Sequence, residues 1–177
     1  MQQVSPSKPS LQPSESADKI DFARDLLTDP RVRGVHDICH QIVAVASATS
    51  PEKAAEFLLK LQLPARERVK TYGSYTELVA DVDVDIVYIA TPASHHFQNA
   101  MLAVQFRKHV LCEKPFTMTA AQAETLVATA RAKERFLMEA LWTRFFPLSA
   151  KVQELVLSDT IGTVYRVIGR FNHTGER

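Results

Sequence analysis

Short apolar runs alternate with amphipathic stretches along most of this chain. Residues 42–46 (IVAVA), 84–90 (VDIVYIA) and 109–112 (HVLC) are mostly apolar, and the first two runs are rich in β-branched side chains. Runs of this kind are typical of parallel strands that are buried on both faces. Residues 135–138 lead into a fourth predicted strand. Between the strands, apolar residues recur at helical spacing, so the order of elements predicts an α/β fold with a parallel sheet and right-handed crossovers.

The predicted helices begin at polar caps. Ser50 precedes Pro51, Ser74 precedes Glu77 by three residues, and Thr119 precedes Gln122 in the same way. Further helices are predicted at residues 20–27, 94–104 and 148–157. The buried stripe of the helix after Ser50 is predicted to consist of Ala54, Ala55, Leu58 and Leu59.

The two ends of the chain have a different character. Residues 1–18 are rich in Ser, Pro and Gln without an apolar face, which predicts disorder. Residues 164–171 alternate apolar and polar, which is typical of a half-solvated antiparallel strand. We therefore expect the parallel α/β unit to span residues 19–147 and a second, α+β unit with a mainly antiparallel sheet to begin at residues 148–177.

Composition narrows the function classes. The 177 residues contain 21 Lys and Arg against 20 Asp and Glu, a net charge of +1, which argues against a nucleic-acid or membrane-surface protein. No run is long and apolar enough to span a bilayer, and no secretory signal is expected. Two cysteines, Cys39 and Cys112, make no disulfide framework, so a reducing, cytoplasmic setting is expected, with Cys112 as inert core.

Polar side chains follow each predicted strand, and the carboxyl ends of parallel strands share one edge. These residues are Ser47 after the first strand, Thr91 and Pro92 after the second, Glu113 and Lys114 after the third, and residues 139–144 after the fourth. Lys114 is a candidate acid or base, Glu113 could orient its amine, and Arg144 could pair a phosphate or carboxylate.

Each candidate also has a simpler interpretation. A Glu-Lys pair after a strand is usually a solvated turn, and Trp142 is as well explained by interdomain packing as by ligand stacking. His96 fits a capping or packing role. A metal site is not predicted, because zinc needs three or four ligands and His95 and His96 point in different directions on a helix.

Several motifs together resemble a known family. These are DVDIVYIATP at 83–92, His96, HVLCEKP at 109–115 and LMEALWTRFFP at 137–147. The sequence is similar to the glucose-fructose oxidoreductase / inositol dehydrogenase (Gfo/Idh/MocA) family, nearest its dihydrodiol dehydrogenase and NADP-dependent D-xylose dehydrogenase branch.

The resemblance implies an incomplete Rossmann domain over residues 19–147, without the family's first strand and Gly-rich loop. It implies an oxidoreductase that uses NADP or NAD on a sugar or trans-dihydrodiol. It implies a catalytic Lys114, a cis Lys114-Pro115 peptide and homodimeric full-length relatives. It implies a cofactor cleft formed by Ser47, Thr91, Pro92, His96, Glu113, Lys114, Trp142 and Arg144.

Three positions depart from the family pattern. No glycine precedes Gly34, so the Gly-rich phosphate loop is missing upstream of residue 20. Ala48 stands where relatives carry an Arg suited to the 2′-phosphate of NADP, so the choice between NAD and NADP is left open. Arg107 replaces the usual glycine before the third strand. The alternative is therefore an inactive fragment or pseudoenzyme that retains only binding or no function, and we expect the isolated chain to turn over poorly.

Overall fold

The computed structural model describes residues 13–62 and 68–169. The helices are α1 (Pro13–Leu26), α2 (Pro51–Leu61), α3 (Tyr75–Ala80), α4 (His96–Gln105), α5 (Ala120–Ala132) and α6 (Pro147–Leu157). The strands are β1 (Ala44–Ala46), β2 (Lys70–Tyr72), β3 (Ile86–Ile89), β4 (His109–Cys112) and β5 (Leu137–Glu139). Short 3-10 helices lie at Pro30–Arg33, Ala93–His95 and Trp142–Phe145.

The strands form two parallel sheets, which confirms the α/β prediction. One sheet pairs β1 with β2, and the other has the order β3-β4-β5. The sequence patterns did not indicate β2, since its three residues, Lys-Thr-Tyr, are too few for a periodic signal. Among the described residues no strand pairs with both β1 and β3, so the parallel strands are divided between these two sheets.

A cleft of about 860 Å³ separates the two sheets and is lined by both β1 and β3. The backbone of Val43 and of Ser47 bonds to β2. Because alternate residues of a parallel strand bond to opposite sides, the backbone groups of Ala44 and Ala46 face away from β2. All of β1 is consequently half-buried, whereas the sequence pattern had predicted burial on both faces.

The main core lies between the three-stranded sheet and helices α4 and α5. Its fully buried side chains include Val104, Val110, Cys112 and Leu126. A second, smaller cluster joins Ala23 of α1 to Leu58 and Leu61 of α2. In the predicted stripe of α2, Ala54 and Leu58 are buried but Leu59 is 53% exposed, because Leu61 takes the inward position at the end of the helix.

The predicted caps are present. Ser50 Oγ accepts from Lys53 N–H at 3.4 Å, and Ser74 and Glu77 form a reciprocal capping box. Thr119 Oγ1 accepts from Gln122 N–H at 3.3 Å. The first helix begins earlier than predicted, at Pro13 rather than residue 20, so it takes up part of the segment predicted to be disordered. The rest of that segment, residues 1–12, lies outside the described residues.

A second compact unit comprises Leu141–Arg177 and contains α6. The strand predicted at residues 164–171 was wrong over the part described, since residues 164–169 have no regular secondary structure. A strand needs a partner for its backbone groups, and none is found for this segment within the described ranges. Residues 170–171 lie outside them. None of the helices described here is long and apolar enough to cross a membrane.

Candidate active site

The segment after β4, residues 113–116, is called here the Lys114 turn. It contains a cis peptide between Lys114 and Pro115, which confirms the expectation from the resemblance. Its backbone is held by hydrogen bonds: the Glu113 N–H donates to the Ile89 carbonyl, and side chains bind the Lys114 N–H, the Pro115 carbonyl and both backbone groups of Phe116. The turn is therefore anchored through its backbone, and its side chains are left for other contacts.

Glu113 is fixed by two contacts. Its Oε1 accepts from the Tyr88 hydroxyl of β3 at 2.6 Å, and its Oε2 accepts from the Lys114 N–H at 3.1 Å. A carboxylate that accepts two hydrogen bonds is well satisfied and held in one orientation. Tyr88 also stacks on Phe22 of α1, with ring centroids 4.2 Å apart. Glu113 thus connects the turn to a strand end whose own position is fixed by packing.

Phe116, the last residue of the turn, is held at both backbone groups. Its N–H donates to Glu139 Oε1 of β5 at 2.8 Å, and its carbonyl accepts from Cys112 Sγ at 3.8 Å. Burial raises the pKa of the Cys112 thiol to about 12, with smaller contributions from the charges of Glu113 and Glu139. Cys112 therefore stays protonated and can donate.

His96, at the start of α4, joins the turns after β3 and β4. It is 1% exposed. Its Nδ1 lies 2.7 Å from the Pro115 carbonyl oxygen, and its Nε2 lies 2.8 Å from that of Thr91. Both ring nitrogens are thus engaged by backbone, which favours the packing role over a direct contact from the ring to a ligand. The Thr91 hydroxyl also accepts from Asn99 Nδ2 at 3.1 Å.

The Lys114 side chain is exposed. Within residues 13–62 and 68–169, its ammonium has no hydrogen-bond or ion-pair partner. This contrasts with Lys70, whose ammonium is shared by two carboxylates. An anchored backbone with an uncommitted amine at the end of its side chain is suited to contact a bound molecule, because only the side chain remains to be ordered.

Ser47 follows β1 and is half-buried, with its Oγ 3.1 Å from Thr49 Oγ1. It lines the cleft between the sheets together with Thr91 and Pro92. The structure thus brings three predicted cofactor residues to one cavity. Glu113 and Lys114 lie outside its lining, in the turn that His96 ties to Thr91.

The remaining predicted residues, Trp142 and Arg144, belong to the second unit and are described within it. Trp142 is 60% exposed and meets Phe146 edge to face, with ring centroids 5.2 Å apart. Arg144 is exposed. In the part of the chain that the structure describes, no group of three or more His, Cys, Asp or Glu side chains could hold a metal ion.

Comparison with known proteins gives the family. Residues 23–141 match the GFO_IDH_MocA family, described as an oxidoreductase family with an NAD-binding Rossmann fold. This match covers well over half of the chain. The chain belongs to this family.

Two relatives within the family show which branch the chain resembles. The NADP(+)-dependent D-xylose 1-dehydrogenase of Hypocrea jecorina is 60% identical over 147 residues, which is 83% of this chain and 37% of that protein. The human trans-1,2-dihydrobenzene-1,2-diol dehydrogenase is 42% identical over 142 residues, which is 80% of this chain and 39% of that protein. The chain thus spans less than two fifths of the length of these relatives.

Solved structures of similar fold support the assignment to the family. An NAD-binding oxidoreductase from Klebsiella pneumoniae is 28% identical, with a TM-score of 0.67 over 84% of this chain and 36% of that one. A 3-ketoreductase from Actinomadura kijaniata, solved with TDP-benzene and NADP, is 31% identical, with a TM-score of 0.59 over 69% of this chain and 36% of that one.

The sequence patterns did not identify two of the residues that hold the Lys114 turn. Tyr88 lies inside an apolar strand, where it is indistinguishable from core until its hydroxyl is seen on Glu113. Glu139 was noted only as part of a polar cluster after the fourth strand. The sequence feature that indicates its role is a charged residue directly after two apolar residues, because a carboxylate at the end of a buried strand needs a hydrogen-bond donor.

Proposed function

We propose that this chain forms the nicotinamide-side catalytic edge of an NADP-dependent dehydrogenase that oxidises a sugar hydroxyl, with a trans-dihydrodiol as the alternative substrate. The observation that carries the proposal is that Lys114 has an anchored backbone and an exposed side-chain amine. Its backbone is anchored directly by Glu113 and indirectly through the next two residues, Pro115 and Phe116. Its ammonium is exposed and has no partner in the described ranges.

The cleft residues suit the dinucleotide that the family binds. Ser47 and Thr91 offer hydroxyls to ribose or phosphate oxygens, and Pro92 offers an apolar surface to a ring. The nicotinamide, when bound, supplies the position that accepts or donates hydride. The NADP preference is inferred from the name of the 60% identical relative, and it needs its own test because residue 48 is alanine.

Lys114 would act on the substrate hydroxyl. An alcohol that loses hydride must also lose its proton. The neutral amine of Lys114 can take that proton, and its ammonium form can donate to the oxygen and hold it in place. Glu113 and the other anchors of the turn would hold the Lys114 backbone in one position, so that only its side chain has to be ordered when substrate binds. Sugars and trans-dihydrodiols present the same CH–OH group, and the higher identity to the D-xylose enzyme favours the sugar.

The test has a binding arm and a turnover arm. Calorimetry with NADPH and NADH gives the affinity and preference of the full chain, and NADPH formation with NADP and D-xylose or a trans-dihydrodiol gives turnover. We expect NADPH to bind more tightly than NADH. Turnover should fall at least about a hundredfold in Lys114→Ala, since loss of a positioned acid or base costs 10²–10⁴.

Lys60→Ala is the matched control, because Lys60 is exposed on α2, away from the turn, and its removal should leave both measurements unchanged. Binding of NADPH without turnover on either substrate would contradict the catalytic proposal and leave a binding protein. Absence of NADPH binding by a folded chain would contradict the proposal altogether.

A further inference from the structure

Among the described residues, Glu139 is the one residue of β5 whose side chain forms a hydrogen bond with the Lys114 turn. Its carboxylate accepts from the Phe116 N–H at 2.8 Å, a distance typical of a charge-assisted hydrogen bond. Glu139 is itself held in the sheet. It lies opposite Cys112 in the β4-β5 ladder, and the next residue, Ala140, donates to the Cys112 carbonyl at 2.7 Å.

The other anchors of the turn come from different places. Glu113 belongs to the turn and binds the adjacent N–H of Lys114, so its contact is local. His96 holds the Pro115 carbonyl from α4. The contact from Glu139 fixes the far end of the turn against the neighbouring strand. Without it, the turn would keep its contacts with α4, β3 and β4 but would lose its tie to β5 through the Phe116 N–H.

We propose that Glu139 is a positioning residue for Lys114, acting through the Phe116 N–H. The proposal rests on the proposed role of Lys114 in the reaction. The residue type suits the task, because a carboxylate offers acceptors to a backbone donor and its two methylenes span the distance from β5. If the hydrogen bond to Phe116 is what positions Lys114, a substitution of Glu139 should be tolerated when it keeps the side-chain length and an acceptor oxygen. The charge of the side chain should matter less.

Two conservative substitutions separate the contact from the charge. Glu139→Gln keeps the side-chain length and the acceptor oxygen but removes the charge. Glu139→Asp keeps the charge but is one methylene shorter and cannot reach Phe116. The same pair at Glu124, an exposed residue of α5, provides the control for each chemical change.

The primary measurement is NMR on the full chain with ¹³C-dimethylated lysines, the Lys114 signal being assigned with Lys114→Arg. We expect Glu139→Asp to shift the Lys114 signal and the Phe116 amide while the other lysine signals stay in place. Glu139→Gln should leave the Lys114 signal close to its wild-type position. The Glu124 variants should leave both signals unchanged.

The second measurement is turnover. In a chain that binds NADPH, Glu139→Asp should lower kcat about tenfold or more with little change in NADPH affinity, because misplacing a reacting group is costly. Glu139→Gln should retain the larger share of kcat.

The proposal would be overturned if Glu139→Asp left the Lys114 signal at its wild-type position while Glu139→Gln shifted it, since the charge alone would then determine the effect. Equal shifts in both variants, or shifts in neither, would also overturn it. If the wild-type chain shows no turnover, the proposed function fails, and the NMR comparison still decides whether Glu139 positions Lys114.

Discussion

Two cysteines in opposite environments give a prediction at the scale of single residues. Cys112 is fully buried and its thiol pKa is raised to about 12, so roughly one thiol in ten thousand is ionised at pH 8. Cys39 is exposed. We expect a thiol reagent at pH 8 to modify one cysteine per folded chain, identified as Cys39 by peptide mass mapping. Denaturant should release the second. Rapid modification of Cys112 in the folded chain would show that the core around β4 is open.

Conformation at single residues was partly readable in the sequence. Arg107 stands where the family usually has a glycine, a residue type that favours the left-handed conformation, and the φ of Arg107 is 62°. By contrast, nothing in the sequence indicated that His96 binds carbonyl oxygens on both sides, because that contact joins residues 91, 96 and 115 through tertiary structure. An unusual backbone conformation can be inferred from the residue type at that position, whereas a contact between distant elements cannot.

At the scale of elements, the end of α4 is strained by its sequence. The N–H of Arg107 bonds to the Val104 carbonyl and that of Lys108 to the Ala103 carbonyl, which is a Schellman motif with Arg107 in the left-handed position. We expect Arg107→Gly to raise the free energy of unfolding by about 0.5–1 kcal/mol, because relief of the left-handed conformation exceeds the entropy cost of glycine. Urea denaturation measures the change.

The control for this substitution is Arg131→Gly, which removes the same side chain from a residue within α5. It should lower the free energy of unfolding, since Arg131 is helical in the last turn of α5 and glycine is less favourable than arginine in a helix. If Arg107→Gly is also destabilising, the Arg107 side chain contributes more than its backbone conformation costs.

A polar cluster links β2 of one sheet to the turn before β3 of the other. The Asp81 carboxylate accepts from the Asp83 N–H, from the Lys70 ammonium and from the Tyr72 hydroxyl, each at 3.0–3.1 Å. These bonds, the Asp83 N–H first, lower the pKa of Asp81, and contacts with Asp83 and then Asp81 raise that of Lys70. A lowered carboxyl pKa contributes stability above its unfolded-state pKa, and this contribution is lost as pH falls.

Asp81→Asn should therefore lower the Tm by a constant amount from neutral pH to about pH 5, and the difference from wild type should shrink below about pH 4. Asp37→Asn, at an exposed residue, serves as the control and should have little effect at any pH. Thermal unfolding followed by circular dichroism gives both profiles. A pH-independent difference would mean that the carboxylate's charge does not contribute.

The elements themselves were largely predictable, and their assembly was not. Four of the five strands and the capped helices follow from apolar runs and capping residues, which act within a few positions of the chain. The division into two sheets depends on which strand edges find partners, and that is decided by residues distant in sequence. β2 was missed for the same reason, because a three-residue strand is stabilised by its pairing with β1 rather than by its own pattern.

At the scale of the whole molecule, the second unit exposes an apolar surface. In α6, Leu148, Val152 and Val156 follow one another at four-residue spacing and are 76%, 52% and 42% exposed. Contiguous exposed apolar surface promotes association in water. We expect the sedimentation coefficient of the chain to increase with concentration and the double variant Leu148→Lys, Val152→Lys to reduce this increase without loss of helical circular dichroism. Gln153→Lys, with an added charge but no apolar loss, should associate like wild type, and equal suppression by it would assign the effect to net charge.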